Sequence, residues 1–207
     1  MKKKLTQEDY YARNLPDIQN KLNSAKVAIA GLGGLGSNIA VMLARIGVGR
    51  LLLVDFDKVE ASNLNRQHYT PAHIGLFKTE ALKSQLEIIN PFVQFEIVTT
   101  KITSENAIEL FDDYEIVCEA FDGAEFKAEL ASTLLENTDK KIVAASGMNG
   151  FSDSNLIRTK KKFGRLYLCG DDTPPKQLGI GFMAPRVSIC AGHQANMIAR
   201  LILGLES

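Results

Sequence analysis

The chain has 207 residues, of which 45% are hydrophobic and 23% charged, and its 24 basic side chains balance its 24 acidic ones. That length and balance suit one soluble globular domain with a sizeable core. A formal net charge of zero leaves no overall electrostatic footprint for a nucleic acid or an anionic membrane, while still allowing a local basic cluster around a phosphorylated ligand.

The opening residues, MKKKLTQEDYYARN, have a basic tip followed by polar residues, which is not the pattern of a secretory signal. No apolar run approaches the ~18 residues of a membrane span. A polar helix is expected over Gln7–Leu22. KVAIA (Lys26–Ala30) is a short apolar run ending at glycine, as a buried parallel strand does. In the next segment, SNIAVMLARIG, Ile39, Leu43 and Ile46 share one helical face and Gly47 supplies the stop. RLLLVD (Arg50–Asp55) is the second strand. A long polar connection, Phe56–Leu76, leads to a helix over Lys78–Ile89. Further strands are expected at Gln94–Thr100, Tyr114–Phe121 and Lys141–Ser146, separated by helices near Ser104–Phe111 and Ala124–Glu136.

Strands alternating with helices predict a Rossmann-like α/β fold, a mostly parallel sheet with helices on both faces. After Gly147 the pattern changes. SNLIRTK and KFGRLYLCG are expected to pair as an antiparallel extension at the sheet edge, followed by the crossover loop DDTPPKQLGIGFMAP and a final apolar helix. The chain then reads as a single domain, residues 1–207. Residues 1–25 form an N-terminal helical arm, 26–147 a nucleotide-binding half, and 148–207 the hairpin, crossover and last helix.

Between the first strand and helix lies GLGGLG. Gly31 permits a tight turn, Gly33 lets the backbone approach a phosphate, and Gly36 lets helix and strand pack closely. Phosphate oxygens would face the helix N-terminus, where backbone N–H groups and the helix dipole favour negative charge. Asp55, at the end of the second strand, is placed to accept hydrogen bonds from ribose hydroxyls. This spacing leaves nicotinamide, flavin and ATP sites open. A P-loop is excluded, because G-x-x-x-x-G-K-[ST] does not occur.

The residues that decide lie outside the glycines. A nicotinamide site needs no further cations, since the glycine turn already holds its two phosphates. An ATP site that expels pyrophosphate does, because negative charge builds up on the leaving group. Arg66 and Lys78 supply two cations and Asn63 a hydrogen-bond donor. Asp122 follows a strand at the sheet edge where open parallel sheets bind ligands, and one carboxylate plus phosphate oxygens is enough to hold Mg²⁺.

GLGGLG, VDFDKVEASNLNRQ, Lys78, the Asp122–Gly123 pair and GFMAPRV occur in the order found in ThiF/MoeB-type adenylyltransferases. The chain resembles that ubiquitin-activating-like superfamily from about Tyr11 to Gly204, and is most similar to its short ThiF branch. The resemblance implies ATP and Mg²⁺ as ligands, with Gly31, Gly33, Gly34, Gly36, Asp55 and Asp57 around the nucleotide. Asn63, Arg66 and Lys78 would hold the triphosphate and Asp122 the metal. In a homodimer, Arg13 of YYARN would reach the partner's ATP. The implied partner is a ThiS-like ubiquitin-fold sulfur carrier, whose C-terminal glycine carboxylate is adenylated in the cytoplasm. The Gly147–Asn155 and Gly170–Gly181 loops are the candidates for gripping its tail.

The chain departs from the family pattern at its cysteines. Many relatives hold a structural zinc with two C-x-x-C pairs, whereas Cys118, Cys169 and Cys190 are scattered, so no zinc is expected. The crossover loop has no cysteine before its MAP turn, which points to adenylation without a later covalent sulfur step on this chain. A MoeB-like activator of the molybdopterin carrier, another adenylyltransferase of the same fold acting on a small-molecule or tRNA-bound carboxylate, a nicotinamide oxidoreductase and a carrier-binding scaffold without ATP are the competing functions.

Overall fold

The computed structural model describes residues 4–148, 150–173 and 181–206. Seven strands form one sheet in the order β3-β2-β1-β4-β5-β7-β6. They are β1 (Lys26–Ala30), β2 (Arg50–Val54), β3 (Gln94–Val98), β4 (Ile116–Glu119), β5 (Lys141–Ala145), β6 (Arg158–Lys161) and β7 (Leu166–Gly170). Every pairing is parallel except β6 with β7. The central strands carry unbroken apolar runs because both faces are covered: Val27, Ala28, Ile29 and Ala30 have no exposed surface.

On one face lie α3 (Gly34–Ile46), α4 (Lys78–Ile89) and α7 (Ala184–Leu203), packed on Ile29, Leu51, Leu53 and Cys118. On the other lie α5 (Ala107–Leu110) and α6 (Ala124–Asn137), which cover Ala28, Leu52, Val117 and Phe111. The expected antiparallel extension is present: β7 joins β5, and β6 forms the outer edge. Arg158, Lys160 and Lys161 along β6 give that edge a charged character unsuited to further strand pairing. Helix α3 ends at Gly47 in the left-handed region (φ 85°), as its sequence predicts.

Two helices differ from expectation. The single polar helix over Gln7–Leu22 is instead α1 (Gln7–Tyr10), capped by the Thr6 and Asp9 pair, and α2 (Pro16–Ser24). Pro16 opens α2 and holds Leu15 extended (ψ 135°), so the helix cannot run through. The break turns Tyr11 inward, where its hydroxyl accepts a 2.7 Å hydrogen bond from Asn90 Nδ2. The helix expected near Ser104–Phe111 shrinks to the four residues of α5. Ahead of it, the Asn106 side chain bonds Thr103 N and Lys101 O and fixes a turn instead.

The end of the chain is fastened by a buried ion pair. Asp171 after β7 meets Arg186 in the first turn of α7, and Arg186 also donates to the Asp153 carbonyl. Residues 174–180 of the expected crossover loop, and the corresponding part of the Gly170–Gly181 tail grip, lie outside the described residues, as does position 149 in the other proposed grip. Among the described residues no helix is long and apolar enough to cross a membrane.

Candidate functional site

The sheet changes direction between β1 and β4, and a cavity of about 600 Å³ opens there, at the C-terminal ends of the strands. Its polar arm is built on the glycine turn. Gly31 takes a left-handed conformation (φ 91°), and a side chain there would meet Phe121 and the Ala120 carbonyl. Gly34 is the first residue of α3, whose N-terminus faces the cavity. Gly36 has a different role. A Cβ on it would overlap the Gly31 carbonyl oxygen, and it is not on the cavity wall, so it serves helix–strand packing. Of the glycines that the resemblance places around the nucleotide, Gly36 is thus the one set behind the cavity wall.

Asp55 braces the turn from behind. Its Oδ2 accepts from Leu32 N at 2.7 Å and its Oδ1 from Asp57 N at 2.8 Å. Burial raises the Asp55 carboxyl above its ordinary range, against the Lys78 charge and the two N–H donors, which act the other way. The Tyr69 hydroxyl, which the sequence did not flag, donates to Leu32 O at 2.9 Å and holds the other side of the same residue. A nucleotide's ribose can use the remaining lone pairs of Asp55, which is 8% exposed and lines the cavity.

Lys78 is 6% exposed, with Nζ 2.7 Å from Asp57 Oδ2 and 3.9 Å from Asp55 Oδ2. Its place at the start of α4 is set by its own N–H, which donates to Asp57 O at 2.9 Å. The Arg66 stem lies beside Gly34, and its Nη1 donates to Ser62 O and Asn65 Oδ1. Asp122 is exposed on the turn between β4 and α6. Arg66, Lys78, Asp55, Asp57 and Asp122 line one cavity with Gly31, Gly33 and Gly34.

Besides Gly36, two expected residues are not on that wall. Asn63 Oδ1 accepts from Glu60 N at 3.1 Å, so its side chain closes a local turn. Arg13 is exposed on the turn between α1 and α2.

Three cavity residues escaped the sequence. Gln67 is buried beside Gly33, and its Oε1 has no hydrogen-bond partner among the described residues, an orphan acceptor that fits a polar ligand. Glu119 and Lys127 form an ion pair on the cavity wall. The signal for Glu119 was present as a single carboxylate inside the apolar run IVCEAF. Lys127 carried none, being one lysine among several on a polar helix face.

The cysteines are chemically quiet. All three are buried, and burial pushes Cys169 up to about 11, Cys190 to about 12 and Cys118 well above its ordinary value. A thiol reagent is therefore expected to label native protein slowly at pH 8 and to titrate all three cysteines in guanidinium. Rapid modification of Cys169 in the native state would contradict this.

Sheet order, glycine turn and a crevice at the switch point define a Rossmann-like α/β protein. The chain belongs to the ThiF family, whose profile matches residues 9–207. It is 36% identical over 197 residues to the "Adenylyltransferase and sulfurtransferase MOCS3" of Anopheles gambiae, covering 91% of this chain and 44% of that protein. It is 47% identical over 93 residues to "Ubiquitin-like modifier-activating enzyme 5" of Gallus gallus, covering 45% of this chain and 23% of that one. The chain thus spans less than half the length of these curated relatives. Among solved structures, the E. coli tRNA N6-threonylcarbamoyladenosine dehydratase TcdA, in complex with ATP, superposes with a TM-score of 0.84 at 21% identity, covering 94% of this chain and 92% of that one. E. coli MccB with ATP gives 0.70 at 21%, covering 95% and 64%. At these identities the likeness is one of fold. The family and the fold expected from the sequence are both borne out.

Proposed function

We propose that the chain adenylates the C-terminal glycine carboxylate of a small ubiquitin-like sulfur carrier, of the ThiS type, releasing pyrophosphate. Arg66 and Lys78 on the wall of one cavity with the glycine turn carry this assignment. The acceptor carboxylate is already anionic at neutral pH, given an ordinary pKa of about 3.5, so no general base is needed. It attacks the α-phosphorus in line, and the bond to the pyrophosphate oxygen breaks. Arg66 and Lys78 offset the charge that gathers on the leaving group.

ATP fits the polar arm: a helix N-terminus, a buried ribose acid and an orphan amide oxygen face one space. Among the described residues no three His, Cys, Asp or Glu side chains come together as a metal site. Asp122, on the cavity wall, would supply one carboxylate to Mg²⁺ carried by the triphosphate, and the metal would neutralise phosphate charge. In this proposal the protein is a cytoplasmic homodimer, Arg13 serves the partner's site, and another protein delivers the sulfur. The names of the relatives, adenylyltransferases and ubiquitin-like modifier activators, support a carrier as acceptor. A molybdopterin-type carrier is the alternative within the family.

ATP–pyrophosphate exchange with candidate carriers, with and without Mg²⁺, tests this. Exchange is expected only with carrier and metal together. NAD binding without exchange would instead mark an oxidoreductase, and carrier binding without either would mark a scaffold.

A further inference from the structure

The cavity has a second arm on the α6 side of the sheet. Ala128 and Ala131 on α6 line it together with Ala144 on β5 and Leu166 and Leu168 on β7, an apolar stretch of wall that forms a slot. Phosphate cations and ribose acid stand at the β1–β2 end, and this slot runs from β4 toward β7. Glu119 and Lys127 stand where the arms meet, close in sequence to Asp122.

Glu119 ends β4 with no exposed side-chain surface, although it is a carboxylate. It survives there through its partners. Lys127 Nζ lies 3.0 Å from one oxygen and 3.2 Å from the other, Phe121 N donates at 2.6 Å, and the Ala145 N–H adds a further bond. These bonds tie β4, β5 and α6 together around one ammonium. Lys127 remains 21% exposed and on the cavity wall.

We propose that Lys127, held by Glu119, is the group that receives the acceptor's carboxylate from the apolar slot and presents it to the nucleotide, which makes Lys127 a binding residue and Glu119 a positioning residue. This rests on the ATP-dependent reading above. An ammonium has three N–H donors, and among the described residues the hydrogen bonds of Lys127 go to Glu119 alone, which leaves one donor for the cavity. Because the pair is neutral as a whole, Lys127 acts by a directed, charge-assisted hydrogen bond rather than by net charge. That suits its position: a carboxylate must be drawn in without pulling the triphosphate away from Arg66 and Lys78. Lys101, which also lines the cavity, has its ammonium 5.2 Å from the Phe126 ring centre and follows β3, on the nucleotide half of the sheet.

The test separates the two ligands by calorimetry. Wild-type protein is titrated with α,β-methylene ATP, and the complex then with a peptide ending in Gly-Gly, offered as free acid and as C-terminal amide. The free acid is expected to bind about tenfold more tightly than the amide, the size of one charge-assisted hydrogen bond. Lys127→Met should abolish that preference and Lys127→Arg keep it, both with nucleotide affinity within about twofold of wild type. If Lys127→Met does not fold, Lys127→Gln, which keeps a polar end but no charge, decides, and the acid preference should fall at least about threefold. Equal binding of acid and amide by wild type, a preference intact in Lys127→Met or Lys127→Gln, or lost nucleotide affinity in Lys127→Met would overturn the assignment. Wild type that fails to bind the nucleotide analogue would sink the ATP reading first, and this with it.

Discussion

Lys78→Ala is expected to lower carrier-dependent pyrophosphate exchange by about two to three decades, the size of one lost partner of transition-state charge. The geometry makes this side chain effective and also complicates the variant. Lys78 is almost fully buried between two carboxylates, so its ammonium is oriented and poorly screened by water. Removing it leaves Asp55 with a charge in a low-dielectric place, although both Asp55 oxygens keep their backbone N–H donors. Asp57 is half-exposed and can be solvated. A fall in Tm with wild-type kcat at saturating ATP would therefore mean that Lys78 only braces the two aspartates. A fall in kcat with a folded protein is the result expected of a group that meets the leaving phosphates. Exchange within about tenfold of wild type would remove Lys78 from the reaction.

Gly36→Ala is expected to destabilise the fold by about 3 kcal/mol, at the upper end for overpacking, read as a shift in the urea midpoint. The added methyl would overlap the Gly31 carbonyl oxygen, which is backbone and cannot rotate away. Relief requires α3 to move off β1, and that displaces the turn whose N–H groups face the cavity. Nucleotide binding should fall with stability. Gly192→Ala provides the contrast, because nothing lies within 4 Å of a methyl there and the residue is inside α7. The same substitution is expected to stabilise by up to about 1 kcal/mol, from helix propensity alone. If both variants behave alike, the packing role of Gly36 is wrong.

The sequence carried most of the fold, because buried parallel strands and amphipathic helices announce themselves through local patterns. β1, α4 and the β5 start fall where the apolar runs put them. The helix expected over Gln7–Leu22 failed for a local reason that was also legible: Pro16 forbids continuation. The site was half legible. Gly31, Gly33, Gly34, Asp55, Arg66, Lys78 and Asp122 could be named from chain order, and all line one cavity, whereas Gly36 packs behind it. Asn63 could be named too, but its side chain closes the Glu60 turn instead.

By itself, then, the sequence determined the strand–helix rhythm, the glycine turn and the family, since these depend on residues near one another in the chain or on their order. Only the tertiary structure decided which side chains share the crevice. Gln67 beside Gly33, Tyr69 on Leu32 and Lys127 on Glu119 are meetings between elements, brought about by sheet order and helix packing. Burial then decided their chemistry: it holds the three thiols protonated and makes Glu119 depend on one lysine and two N–H groups for its charge. Such environments are long-range properties of packing, and no local spacing of residues encodes them.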